Sequence, residues 1–184
     1  MTVNYSLEHR IARLRELGLG DRPDSALDAF ARRLGEATKA PYAMINFTND
    51  EVEGTQYFAG LYVATNATAS SEDALAPKTV SRNMPRDHGY CPHVLEKEGR
   101  ALALHDVTKW AAFGANEVHD RLNINSYYGI GLVDERTNTM LGTFCIVDTV
   151  TRDENTRQEH IDLLKAHRRD VMEYIHESTG GGPR

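Results

Sequence analysis

Two strand-like segments near the carboxyl end constrain this chain more than anything else in it. Ser126–Val133 (SYYGIGLV) and Met140–Val147 (MLGTFCIV) are apolar runs of strand length, joined by the polar stretch DERTNT. Such a pair predicts a β-hairpin. Side chains alternate between faces along a strand. Thr143, Cys145 and Val147 therefore share one face of the second strand, and Phe144 and Ile146 share the other. The hairpin commits the chain to an antiparallel sheet, and the remaining segments decide what surrounds it.

Upstream, Tyr42–Thr48 and Gln56–Val63 read as a second strand pair around Asn49 and Asp50, and Ala101–Leu104 as a short buried strand. Leu7, Ile11, Leu14 and Leu17 recur at a helical period that Gly18 and Gly20 stop. Asp24 or Ser25 is placed to cap a second helix with Leu27, Phe30, Ala31 and Leu34 on its apolar face. Cys91–Glu98 predicts a short helix. A final helix runs from about Asn155 to Ser178, capped by Asp153 or Asn155, with Ile161, Leu164, Val171 and Ile175 as its stripe. On that helix His160, His167 and His176 join Arg157, Arg168 and Arg169 to predict a cationic exposed face. Ala64–Ser81 reads as a long loop, and Asp106–Leu122 as an irregular segment anchored by Trp110 and Phe113. Strands joined by hairpins and flanked by terminal helices predict an α+β fold, since strands and helices do not alternate as a doubly wound sheet needs.

At 184 residues, 40% apolar and 26% charged, the chain is one domain's worth of globular protein. The expected layout is an amino-terminal helix and linker over 1–24, one domain over 25–178 and a tail over 179–184. Its net charge of −6 argues against broad nucleic-acid binding, which needs a basic surface. No apolar run approaches the roughly 20 residues that span a bilayer, and the amino terminus lacks signal-peptide character. A cytoplasmic protein without membrane or nucleic-acid partners is expected. The two cysteines, Cys91 and Cys145, form neither a C-x-x-C pair nor a secreted disulfide framework.

Three segments in order resemble the GAF domain family. Gly89-Tyr90-Cys91-Pro92-His93-Val94-Leu95 is similar to the start of the family's central helix. Leu104-His105-Asp106-Val107-Thr108 with Phe113 is similar to its aliphatic-x-Asp-hydrophobic-Thr segment. Ser126–Leu132, then Leu141–Asp148 and Arg152, looks like its last hairpin with the Gly-x-Leu-Cys-x-x-Asp ending. The resemblance covers roughly Ser25 to Glu177. It implies a three-layer α/β/α arrangement: a central, mainly antiparallel six-stranded sheet, terminal helices on one side and a ligand pocket on the other. It also implies a sensory or small-molecule-binding module, often homodimeric, acting through a partner. The chain departs from the family at Gly131, where a proline is usual, and at Trp110-Ala111-Ala112-Phe113. The cyclic-nucleotide motif and the bilin-attachment signature are absent.

Within that frame Asn46, Phe47, Tyr57, Arg86, Tyr127 and Tyr128 are the ligand-binding candidates, because rings with a few polar groups suit a pocket. His88, Cys91 and His93, with His105 further on, offer soft and borderline ligands for a metal or haem, although H-x-x-C-x-H is not a usual zinc spacing. Packing of Cys91 against the sheet is the plainer reading. If Cys91 also faces the last strand, Cys91 and Cys145 become neighbours and redox candidates. A relative that reduces free methionine sulfoxide uses several cysteines, and this chain has two. The residues require no cofactor. The alternative to a binding module is a redox or metal/haem enzyme built on His88, Cys91 and His93. Asp148 and Arg152 are expected to tie the last strand to the helix that follows, and Asp106 to cap the segment after its own strand.

Overall fold

Six strands pair antiparallel throughout. β1 (Tyr42–Phe47), β2 (Thr55–Val63), β3 (Asn83–Pro85), β4 (Leu102–Leu104), β5 (Ser126–Asp134) and β6 (Thr139–Asp148) lie in the order β3-β2-β1-β6-β5-β4. The computed structural model describes Val3 and residues 6–19, 22–47, 55–64, 80–85, 88–95, 101–114 and 123–179. Both predicted hairpins form, and β1 joins them by pairing with β6, Met44 opposite Cys145 and Asn46 opposite Thr143. The β5–β6 turn closes on Asn138, which adopts the left-handed conformation that asparagine tolerates best after glycine.

Helices α1 (Leu7–Glu16), α2 (Ser25–Thr38) and α5 (Arg157–Thr179) cover one face. Asp24 caps α2, its carboxylate accepting from the Ala26 and Leu27 amides at 2.8 and 3.3 Å. Asp153 caps the short 3-10 turn Glu154–Thr156 that leads into α5. Leu14, Leu27, Leu34, Leu164, Val171 and Ile175 are buried against Ile45, Phe47, Phe144 and Ile146. Burying each such side chain contributes roughly 1.5–3 kcal/mol. The other face carries a second core, built from Tyr42, Met44, Phe58, Tyr127, Cys145 and Val147 of the sheet and from Tyr90, Cys91 and Val94 of the crossing segment. That segment holds α3 (Cys91–Leu95) and, after β4, α4 (Ala111–Gly114). The architecture is the α+β arrangement expected, with helices on one side of a six-stranded antiparallel sheet. No helix among the described residues is long and apolar enough to cross a membrane.

Several local expectations change. β3 follows the expected Ala64–Ser81 loop and carries too few residues to show a strand pattern, so no strand is expected there. Trp110 is 47% exposed and does not anchor its segment, whereas Phe113 and Val107 are buried. The histidines of α5 do not form an exposed cationic face. His160 is buried and stacks on Tyr128 at 5.0 Å, and His176 bonds Asp134 at 3.0 Å. The helical period explains this, since His160 lies four residues before Leu164 and so on the buried stripe. His167 is half-buried, and burial together with nearby Arg33 holds its pKa below the ordinary imidazole value.

Arg152 bonds the Asp148 carboxylate at 2.7 Å, also donates to the Thr38 carbonyl at 2.9 Å, and contacts His160. The expected tie between last strand and last helix is therefore present and reaches α2 as well. Asp106 accepts from the Thr108 amide at 3.0 Å, as a cap should.

Candidate functional site

The face of the sheet away from the long helices carries the site. Tyr42, Met44 and Asn46 point there from β1, and Cys145 and Val147 from β6. Tyr127 joins them from β5, placed by the same alternation. On β2 the alternation breaks. The register shifts between Ile45 and Asn46, leaving Ala59 as an extra residue between Gly60, opposite Ile45, and Phe58, opposite Asn46. Leu61 and Val63 face the site on one side of this bulge, Phe58 and Gln56 on the other.

The bulge is held by charge. Arg82 donates to the Phe58 and Ala59 carbonyls at 3.0 and 3.2 Å and grips both Asp28 oxygens at 3.0 and 2.8 Å. Asp28 in turn accepts from the Leu61 amide at 2.8 Å.

Gln56 closes one end of the site. Its amide nitrogen donates to the Pro85 and His88 carbonyls at 3.1 and 2.8 Å, and its oxygen accepts from Asn46 Nδ2. Two carbonyl acceptors fix the Gln56 orientation, and that fixes which end of Asn46 must donate. Tyr90 lies over the sheet, its ring 5.2 Å from Tyr127 and 6.0 Å from Phe113. Tyr90 and Tyr127, together with Met44, Phe58, Met84, Ile124 and Cys91, enclose an almost wholly apolar cavity of about 30 Å³. That holds a molecule of water size, whereas pockets for drug-sized ligands start at roughly 300 Å³.

A larger groove of about 860 Å³ runs beside α5 and the β5–β6 turn. It is open, and Arg136, Arg168 and Arg169 there face Glu135, Glu173 and Glu177. It gathers no convergent chemistry, so its size does not make it the better candidate.

Two thiols meet at the small cavity. Cys91 Sγ and Cys145 Sγ are 3.8 Å apart, both buried and both free of disulfide. The Tyr127 hydroxyl donates to Cys91 Sγ at 3.5 Å. The Cys145 thiol lowers the Cys91 pKa most, and the polar Thr143, Tyr127 and Asn46 side chains add to it, bringing Cys91 to about 6 against the opposing effect of burial. Cys145 moves the other way, well above the ordinary thiol value, because it bonds Cys91 and is buried. Burial first, then the adjacent thiols, keeps the Tyr127 phenol protonated far beyond the usual range.

Of the six ligand-binding candidates, Tyr127 lines the cavity and Asn46 shares its face of the sheet. Phe47 and Tyr128 are packed among the long helices instead, and Tyr57 lies against that same core. Neighbours in a strand point to opposite faces, so Asn46 with Phe47, or Tyr127 with Tyr128, cannot both reach one pocket. Tyr57 is turned away by the bulge. Arg86 lies outside the described residues. Gln56, Phe58, Met44 and Met84 were not visible as cavity residues. Only the bulge brings Gln56 and Phe58 round, and no local signal marks it.

The metal candidates stand apart. His93 packs edge-on against Phe113 at 4.9 Å, while His105 contacts Lys109 at 3.2 Å. His88 gives its carbonyl to Gln56. Among the described residues no group of three or more His, Cys, Asp or Glu side chains is placed to hold a metal ion.

The model of the GAF domain family matches residues 22–167. The chain belongs to that family. No curated protein matches the sequence significantly. Solved structures similar to this GAF domain include a far-red cyanobacteriochrome photoreceptor, 11% identical, with a TM-score of 0.61 and 94% of each chain covered. The GAF domain of a phosphoenolpyruvate-protein phosphotransferase from Acinetobacter is 15% identical, with a TM-score of 0.59 and 96% of each chain covered. A free methionine-R-sulfoxide reductase from Neisseria meningitidis is 13% identical, with a TM-score of 0.57, covering 95% of this chain and 93% of its own. At these identities the likeness is one of fold.

Proposed function

We propose that this GAF domain is a sensory module that binds a small molecule in the apolar cavity between the sheet and the Tyr90–Leu95 segment. The observation that carries the reading is the cavity itself. It is lined by Met44, Phe58, Met84, Tyr90 and Tyr127, with the Gln56 amide as its polar edge. Apolar walls with few polar groups are what small-molecule sites generally offer. The photoreceptor among its structural neighbours supports a sensory role. Of the six first considered, Tyr127 lines the cavity, and Asn46 supports it from behind through Gln56. A ligand of tetrapyrrole size does not fit the cavity as it stands, so the walls favour a compact, largely apolar compound. Anything much larger than a water must displace the β3–α3 flank.

A panel of small metabolites tested by thermal unfolding checks this. A compound at a hundred times its dissociation constant stabilises the native state by about 2.7 kcal/mol. For a chain of this length that raises Tm by roughly 5–11 °C. Met84→Trp, which fills the cavity from the sheet edge, should abolish the rise while leaving the unliganded Tm within a few degrees. If no compound raises Tm, or the rise survives Met84→Trp unchanged, the reading fails.

The same module is proposed to signal as a homodimer or through a partner protein, using its terminal helices α1, α2 and α5. Light scattering that shows only monomer at tens of micromolar counts against the homodimer.

A further inference from the structure

Neither ligand binding nor packing calls for two thiols in contact. Any two small apolar side chains would fill the space between α3 and β6. What sets this pair apart is the polar set gathered on one of them. The Tyr127 hydroxyl donates to Cys91 Sγ at 3.5 Å, and the polar side chains of Asn46 and Thr143, opposite each other on β1 and β6, lie nearby. A neutral thiol is a weak acceptor and gains little from a donor held against it, whereas a thiolate gains more.

We propose that Cys91 and Cys145 form a reversible dithiol–disulfide centre oxidised by hydrogen peroxide, with Cys91 as the attacking thiolate and Cys145 as the resolving thiol. The proposal stands whether or not the cavity binds a ligand.

Distance supports it. A disulfide has its sulfurs about 2.05 Å apart, so from 3.8 Å the two must close by about 1.8 Å. A χ1 rotation and a small shift of the five-residue α3 supply a movement of that size. The division of labour follows from the unequal environments. Cys91, at about 6, is mostly thiolate at neutral pH, and Cys145 keeps its proton.

Access sets the oxidant. Cys91 lines a cavity of about 30 Å³, which suits hydrogen peroxide and excludes bulky disulfides such as oxidised glutathione.

The chemistry balances in two steps. The Cys91 thiolate attacks one peroxide oxygen and the O–O bond breaks. Cys91 becomes a sulfenic acid, and the departing hydroxide takes up a proton to leave as water. Cys145 sulfur then attacks the sulfenic sulfur, the S–O bond breaks, and the hydroxyl leaves as water with the Cys145 proton. Two thiols and one peroxide give one disulfide and two waters. The pair is oxidised by two electrons, the peroxide oxygens are reduced, and an external dithiol reverses the change.

The test treats the whole protein with a few equivalents of hydrogen peroxide. The sample is then alkylated under denaturing conditions and mapped by mass spectrometry. The expected product has lost two hydrogens, links the Cys91 and Cys145 peptides, and returns to two free thiols with dithiothreitol. Cys145→Ser should stop at a sulfenic acid on Cys91 that dimedone traps, and Cys91→Ser should give neither product. Oxidised glutathione at equal concentration should react at least tenfold more slowly. The peroxide rate should fall as pH drops through about 6. Tyr127→Phe should slow it about fivefold at pH 6, as expected if losing one donor raises the thiol pKa by about one unit.

The wild-type protein alone can overturn the proposal. It fails if both thiols stay alkylatable while Met44 or Met84 gains oxygen. It also fails if oxidised glutathione reacts as fast as peroxide, or if dimedone added during oxidation of the wild type traps a sulfenic acid on Cys145.

Discussion

Gly129 sits two residues beyond Tyr127 on the same face of β5, and a Cβ there would overlap the Tyr127 hydroxyl and ring edge. The glycine is needed for space, because it lets the tyrosine lean along its own strand until its hydroxyl reaches Cys91. Tyr127 is 1% exposed and packed against Tyr90, so it has nowhere to retreat. Gly129→Ala should therefore cost about 1–3 kcal/mol in urea unfolding, the usual range for overpacking a core. It should also reproduce the slower peroxide reaction of Tyr127→Phe by moving the hydroxyl off the sulfur. A Gly129→Ala protein that loses stability yet oxidises at the wild-type rate at pH 6 would separate the two effects and remove the tyrosine from the thiol's chemistry.

At the scale of the element, the bulge in β2 decides what the site is made of. Arg82 and Asp28 hold it, and Asp24 adds its own amide to the Ala59 carbonyl at 3.0 Å. Both side chains of the ion pair are about a quarter exposed, with Arg82 at 25% and Asp28 at 30%, so solvent screens it only in part. Arg82→Ala should destabilise the domain by about 2–3 kcal/mol, because two strand carbonyls and a carboxylate lose a charged donor together. Arg82→Lys should recover less than half, since an ammonium cannot reproduce the fork. Hydrogen exchange gives the local signature, with the Leu61 amide opening faster in Arg82→Ala while the amides of β6 stay protected. Equal acceleration across β1 and β6 would mean a global loss of stability without a local role.

This element also shows what the sequence could and could not reveal. The β5–β6 hairpin, the capped helices and the order of the layers were legible, because each rests on periodicity and local capping chemistry. The face that Tyr57 occupies was not, because one inserted residue, Ala59, reverses the parity of a strand and is fixed by Arg82, 23 residues away. The Phe47 and Tyr128 assignments had less excuse, since strict alternation already sets each against its neighbour in the chain. The meeting of Cys91 with Cys145 was a conditional expectation. Only the crossing of α3 over β6 turned it into a contact.

For the molecule as a whole, Asp134 is where the terminal helices are tied to the sheet. Arg13 of α1 bonds its carboxylate at 2.6 Å and His176 of α5 at 3.0 Å. The Arg136 amide and Thr137 hydroxyl of the hairpin turn add bonds at 3.0 and 3.1 Å. Burial alone would raise the Asp134 pKa, but these bonds outweigh it and hold the carboxyl below the ordinary aspartate value. The sign of the pH dependence follows. The folded state binds the Asp134 proton less readily than the unfolded chain, where aspartate titrates near about 3.9. The contribution is therefore complete above that pH and is lost as pH falls through the lower, folded value. Asp134→Asn should cost about 3 kcal/mol at pH 7, in line with breaking a buried ion pair, and lower Tm by roughly 6–12 °C. Between pH 5 and pH 3 the wild type should lose stability more steeply than the variant, so that the two Tm curves converge. Parallel curves over that range would show that Asp134 does not carry the acid sensitivity. The opposite face of the sheet supplies an internal control. Asp134 lies at the hairpin end and touches none of the cavity walls, so peroxide oxidation of Cys91 should keep its rate in Asp134→Asn at pH 7. A changed rate would mean that the helix layer and the thiol pair are coupled through the sheet, the connection a sensor needs if its cavity is to inform a partner bound to its helices.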